Sequence, residues 1–238
     1  MNGAWDRAQS YTRIKLCEFE SLDAAYEASF MGADFLGFHL FREQDYAMRG
    51  RMFREIFHYL PATIHKTLLT DLELKDLFDI LSILPVDALQ LYQSFSTQDI
   101  LAIKDKFGDG IKIIQVMSEK SHENSISDDD EFIRYYDDVV DAFLLDSFLI
   151  GGTGKTGDWD HCAQIVQKAR SPVFLAGGLT ADNVQAAIQK VKPFGVDVEN
   201  GVSDRLPDGR RVKNMLKCRL FIEQVKEADW NMRETQFR

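Results

Sequence analysis

The chain has 238 residues and a formal net charge of −10, from 28 Lys and Arg against 38 Asp and Glu. That acidic balance argues against nucleic acid or an anionic membrane as a partner, since both need a basic face. A small anionic substrate stays open, because one local group of Lys side chains or backbone N–H groups can hold it. The length suits one large domain or two small ones, and 45% hydrophobic residues can fill a sizeable core. Cys17, Cys162 and Cys218 are odd in number and widely spaced, and no apolar leader or membrane-length run occurs. Together these predict reduced thiols in a cytoplasmic protein. His39, His58, His65, His122 and His161 show no His-x-x-x-His spacing, and no Cys-x-x-Cys occurs, so no dedicated metal site is predicted.

Residues 1–12 read as a loose polar tail. Arg13 to Cys17 alternates as a strand, and Ser21 or Asp23 starts a helix that Gly32 stops. Phe35 to Leu40 is a second, buried strand. A charged loop over 42–50 and a helix over 51–60 follow. Thr63 to Thr70 is strand-like, and apolar residues from Leu72 to Leu84 keep helical spacing up to Pro85. Ala88 to Tyr92 is the fourth strand. Thr97 caps a helix to Phe107, which the Gly108-Asp109-Gly110 turn closes. Ile111 to Met117 is the fifth strand. The acidic stretch 121–131 reads as loop, with Ser127 to Asp130 a solvated surface run. A short helix over 130–137 leads to the sixth strand, 141–146. Helix 158–170, strand 173–176, helix 182–191, strand 195–198 and a last helix over 212–228 complete the chain, leaving 229–238 as a C-terminal tail. Strand and helix thus alternate eight times with short links, which predicts one closed (β/α)8 barrel over 13–228.

In such a barrel the chemistry sits at the C-terminal ends of the strands. Cys17 and Asp146 both fall there. A thiol and a carboxylate make a usable base and acid. Lys15 lies two residues before Cys17 on the same strand face, where an ammonium favours the thiolate. Spacing alone leaves Cys17 open as a small core residue and Asp146 as a turn cap. Ala176-Gly177-Gly178 and Asn200-Gly201 follow the seventh and eighth strands, the barrel's usual phosphate position; they also fit two ordinary tight turns. Gly151 to Thr156 invites comparison with a nucleotide P-loop, but that motif needs Gly where Leu149 stands, so it fails. Lys155 in that stretch can still reach an anionic substrate. His39 stands at a strand end, where it either lines the pocket or is a satisfied buried histidine.

Taken together, Lys15-Leu-Cys17, Gly32-Ala-Asp-Phe-Leu-Gly37, Leu144-Leu-Asp146, Gly151-Gly-Thr-Gly-Lys-Thr-Gly-Asp-Trp159, Leu175 to Val184 and Pro193-Phe-Gly-Val-Asp-Val198 resemble the phosphoribosylanthranilate isomerase family of tryptophan biosynthesis. The resemblance implies a single barrel without metal or cofactor. It implies an Amadori rearrangement of a phosphorylated sugar amine, with Asp146 as general acid on the ring oxygen and Cys17 as general base on the C2 proton. It implies a phosphate grip on Gly177, Gly178, Asn200 and Gly201, Asp197 near the substrate amine, and Gly152 and Lys155 on a loop facing the substrate. Monomer and homodimer both stay open.

The chain departs from the family pattern at four places. Glu18 stands where the family has Gly. The family's carboxylate-binding Arg after the second strand has no aligned match, leaving Arg42 or Arg49 to substitute. Tyr92-Gln93 replaces His-Gly, and Glu199-Asn200 replaces Ser-Ser. A carboxylate ~4 Å from a phosphate costs about 4 kcal/mol per charge pair at an effective dielectric of about 20. Glu199 must therefore point away, be paired, or mark a changed ligand. Two alternatives follow: a paralogue running the same acid–base chemistry on another sugar phosphate, and a catalytically silent barrel serving as a binding protein.

Overall fold

A computed structural model describes Trp5 and residues 11–43, 45–93, 95–117, 128–147 and 158–236. In chain order the elements are β1 (Arg13–Leu16), α1 (Leu22–Ser29), β2 (Phe35–Leu40), α2 (Tyr46–Tyr59), β3 (His65–Thr70), α3 (Leu74–Leu81), β4 (Ala88–Leu91) and α4 (Thr97–Phe107). They continue as β5 (Lys112–Met117), α5 (Asp129–Tyr136), β6 (Ala142–Asp146), α6 (Trp159–Lys168), β7 (Val173–Ala176), α7 (Val184–Val191), β8 (Gly195–Val198), a 3-10 turn (Asn200–Val202), the hairpin β9 (Ser203–Arg205) and β10 (Arg211–Lys213), and α8 (Met215–Gln236). Strands β1 to β8 pair in sequence order and β8 closes on β1, all parallel, as the predicted (β/α)8 barrel.

The core has two layers. Inside the barrel, Phe35, Ala88, Ile114, Val116, Ala142, Leu144, Phe174 and Ala176 pack together. Outside it, a larger apolar cluster fills the space between strands and helices. Trp5 belongs to the segment expected as a loose tail, yet its ring meets Phe35 edge-on at 5.1 Å and lies 6.2 Å from Phe174, at the N-terminal end of the barrel. The start of β1 is also tied down: Thr12 donates its N–H and hydroxyl to Asp229 at 2.8 and 2.7 Å. Asp229 lies within α8, so residues 229–236, expected as tail, are helical.

Local boundaries differ where side chains compete for caps. α2 starts five residues earlier than expected, because Asp45 accepts from the Met48 N–H. α4 is capped by Ser96, not Thr97, in a reciprocal capping box with Asp99. The acidic run does more than face solvent. Asp128 caps α5, while Asp129 and Asp130 pair with His161 and Lys168 of α6.

Candidate active site

The strand ends converge on one mouth. Cys17 follows β1, and its N–H donates to the Val198 carbonyl of β8 at 2.9 Å. Asp146 ends β6 beside Ala176 of β7. Cys17 is 1% exposed. Gly37 of β2 makes room for its sulfur, since a Cβ there would lie 2.5 Å from Sγ. Asp146 is half-buried, and a Cβ on Gly177 would come within 2.6 Å of its Oδ1. Gly177 holds φ at +93° and Gly178 at +60°, backbone that glycine adopts freely. The loop after β7 can therefore press against the acid.

Tyr92 follows β4 at the same end of the barrel. Its hydroxyl accepts from the Gln90 side chain at 3.2 Å. Burial of that hydroxyl, reinforced by the negative charges of Cys17, Asp197, Glu199 and Asp146, pushes its pKa well above the usual phenol value.

Around the sulfur the structure assembles more charge than strand alternation alone discloses. Lys15, fully buried, donates to Cys17 Sγ at 3.3 Å and pairs with Asp197 at 2.9 Å. Burial works against its charge, but Asp197 and Cys17 outweigh burial and its pKa is raised. His39 faces the mouth with Nε2 3.6 Å from Sγ and 3.4 Å from Glu199 Oε2. Burial alone would lower His39; the hydrogen bonds to Cys17 and Glu199 overcome it and hold it at about 10. Burial likewise opposes ionisation of Glu199, yet His39, Arg211 and Lys213 keep its pKa below the ordinary carboxylate value. Burial lowers Lys213.

Glu199 is the residue whose placement the sequence left unresolved, and it is paired. His39 takes one oxygen and Arg211 the other, at 3.2 Å. Arg211 also grips both oxygens of Glu18 at 3.0 and 3.1 Å. Lys213 donates to the Glu199 carbonyl at 3.2 Å and to Ser203 Oγ at 2.7 Å. Arg211 and Lys213 belong to the β9–β10 hairpin, which the helix-and-strand reading missed. Its signal was present as Leu206-Pro207-Asp208-Gly209, a turn sequence with Gly209 at φ +89°.

The expected phosphate segments come together. A Cβ on Gly201 would fall 2.0 Å from the Leu179 carbonyl, so the loops after β7 and β8 touch at glycine. Asn183 shapes the first loop by accepting from Thr180 N–H at 2.8 Å and donating to the Gly178 carbonyl at 2.9 Å. Asn200 opens the 3-10 turn. Asp197 lies deeper, committed to Lys15. Arg42 does not stand free toward the mouth: it pairs with Glu73 at 2.7 Å and Asp71 at 3.6 Å. Arg49 is held by the His39 carbonyl at 3.2 Å and Glu20 at 2.8 Å. Gly152 and Lys155 lie outside the described residues. Among those described, Cys17, His39 and Glu199 form a group of metal-capable side chains, their ligand atoms within 4.8 Å of one another.

The sequence pattern of the N-(5'phosphoribosyl)anthranilate (PRA) isomerase family matches residues 14–224. The chain belongs to this family. It is 34% identical over 220 residues to the N-(5'-phosphoribosyl)anthranilate isomerase of Pelobacter propionicus, covering 91% of this chain and 96% of that one. To the enzyme of that name from Pseudomonas putida strain GB-1 it is 31% identical over 223 residues, covering 92% and 100%. Phosphoribosyl anthranilate isomerase from Thermotoga maritima superposes with a TM-score of 0.70 at 26% identity, over 91% of this chain and 99% of that one. A phosphoribosyl anthranilate isomerase in complex with reduced 1-(o-carboxyphenylamino)-1-deoxyribulose 5-phosphate shares the fold, with a TM-score of 0.69 at 24% identity over 91% and 99% of the two chains. No described helix is long and apolar enough to cross a membrane.

Proposed function

We propose that this family member rearranges N-(5'-phosphoribosyl)anthranilate to 1-(o-carboxyphenylamino)-1-deoxyribulose 5-phosphate, an aldose–ketose isomerisation in tryptophan biosynthesis. Asp146 gives its proton to the furanose ring oxygen. The C1–O bond breaks and an iminium forms between C1 and the anthranilate nitrogen. Cys17 then takes the C2 proton, leaving an enolamine that tautomerises to the ketone. Lys15 and His39 border the sulfur and stabilise negative charge on it. The substrate phosphate binds backbone N–H groups at Gly177, Gly178, Asn200 and Gly201. Asp197 orients the amine end through its pair with Lys15, and Gly152, Lys155 and Arg42 complete the pocket, Arg42 by leaving Glu73.

The observation that carries this reading is that Cys17, tied to the Val198 carbonyl of β8, and Asp146, beside Ala176 of β7, stand at the C-terminal ends of β1 and β6 of one closed parallel barrel. The paired state of Glu199 supports it further, because both of its carboxylate oxygens are engaged by cations. Turnover of phosphoribosylanthranilate is the test. Cys17→Ser and Asp146→Asn should each lower kcat by about 10²–10⁴-fold, the range of one general acid or base, with the fold intact by circular dichroism. Wild-type inactivity on this substrate would overturn the proposal. So would a folded Asp146→Asn protein that keeps full kcat.

A further inference from the structure

We infer that Cys17, His39 and Glu199 form a binding site for a thiophilic divalent cation, Zn²⁺ being the best match, at the barrel mouth. The three ligand atoms come from the ends of β1, β2 and β8 and lie within 4.8 Å of one another. Four-coordinate zinc has Zn–S near 2.3 Å and Zn–N or Zn–O near 2.0 Å, which sets ligand-to-ligand edges of roughly 3.5 Å and 3.3 Å. The structure has 3.6 Å from Sγ to Nε2 and 3.4 Å from Nε2 to Oε2. Two of the three edges are therefore close to those of a zinc tetrahedron before any ion arrives, and the third, Sγ to a Glu199 carboxylate oxygen, lies within 4.8 Å. A thiolate, an imidazole and a carboxylate are also the ligand types zinc selects.

The surroundings orient these ligands. Arg211 holds the other oxygen of Glu199, Oε1, and leaves Oε2 turned toward the shared centre. Lys15 donates to the sulfur while Asp197 offsets its charge at 2.9 Å. The side chains of His39 and Glu199 keep 14% and 27% of their surface exposed, so the site opens toward the mouth. Three protein ligands leave a fourth position for water or a substrate oxygen. The ion takes the place of the proton on His39 Nε2, and the ligand charges of thiolate and carboxylate balance its own. With Zn²⁺ seated, the sulfur cannot act as a base, so the ion suppresses the rearrangement reversibly.

The test uses the full chain freed of metal by chelator dialysis, titrated with Zn²⁺ and separately with Co²⁺. One ion per chain is expected. Co²⁺ should give a thiolate-to-metal charge-transfer band with the strong visible absorption of four-coordinate cobalt. That band should persist in the Cys162→Ser/Cys218→Ser protein, which assigns it to Cys17 without altering the site. Glu199→Gln, a near-isosteric change, and His39→Val should each weaken Zn²⁺ binding at least ~10-fold, a loss that even outer partners of a metal site produce. Absence of the band in the wild type overturns the inference, as does its loss in the double serine variant. Unchanged Zn²⁺ affinity in both folded ligand variants does the same. Binding is read without turnover. A chain that holds Zn²⁺ here yet rearranges no sugar amine keeps this site and loses the functional proposal.

Discussion

Glu18 holds φ at +66°, left-handed backbone that costs a non-glycine residue about 1–2 kcal/mol. The family pattern read from the sequence expects glycine at this point, which such a turn favours. Here the carboxylate is kept by a bidentate pair with Arg211. A partly exposed pair contributes about 0–1 kcal/mol, so strain and pairing nearly cancel. Glu18→Gly is expected to stay within ~1 kcal/mol of wild type in urea unfolding; a loss above about 2 kcal/mol would show that the pair anchors the hairpin. Lys15 is a different case, since its ammonium is wholly buried. Removing one member of a buried pair strands the other and costs about 3–5 kcal/mol. Lys15→Met should show that loss, and Lys15→Met/Asp197→Leu should recover at least half of it. If the double variant is as unstable as the sum of the singles, Lys15 does not act through Asp197.

Asp34, Asp87 and Asp141 stand just before β2, β4 and β6. Each accepts the backbone N–H of the preceding strand, from Ile14, Lys66 and Ile113, at 2.8, 2.8 and 3.0 Å. Each also pairs with a cation on that strand: Arg13, Lys66 and Lys112. The device recurs every two strands, and it was visible as Ala33-Asp34-Phe35, Val86-Asp87-Ala88 and Val140-Asp141-Ala142 once β positions were aligned. Asp141 is the best placed, with Lys104 of α4 as a further partner at 2.9 Å. Burial favours its protonated form, but the Ile113 N–H, Lys104 and Lys112 outweigh burial and lower its pKa below 3.8. A lowered folded pKa means stability that is present above the unfolded value of about 3.9 and is lost as pH falls through the folded one. Asp141→Asn should therefore cost about 1–3 kcal/mol at pH 7, and its stability should fall less steeply than wild type below about pH 4. Parallel acid-unfolding curves for the two proteins would exclude this. Strands were legible because buried runs such as Phe35 to Leu40 are continuous and apolar. Caps were less so: Ser96 and Thr97 are chemically alike, and only the position of Asp99 three residues after Ser96 decides between them.

At the scale of the whole barrel, the proposed chemistry and the aromatic packing around Trp5 occupy opposite ends. Cys17 and Asp146 were legible at strand ends from the eight-fold alternation and the family motifs. His39, Glu199, Arg211 and Lys213 form one charged cluster only when β1, β2, β8 and the hairpin meet, a closure no local spacing encodes. The N-terminal end was legible least, since a lone Trp5 in a polar segment carries no period. Its ring closes the aromatic group of Phe35 and Phe174, themselves edge-on at 5.3 Å. That end of a barrel bears on stability, whereas strand C-termini bear on turnover. Trp5→Ala should thus cost about 2 kcal/mol, below the 3–5 kcal/mol of a fully buried Trp because the ring keeps some exposure. In a chain of this size that lowers Tm by roughly 4–8 °C. The variant should keep wild-type kcat/KM at temperatures where it is folded, because Trp5 packs at the N-terminal ends of β2 and β7 while Cys17 follows the C-terminal end of β1. A variant of unchanged Tm would show that Trp5 does not close the barrel, and one of normal Tm but altered kcat/KM would show that the two ends are coupled through the interior layer between Phe35 and Cys17.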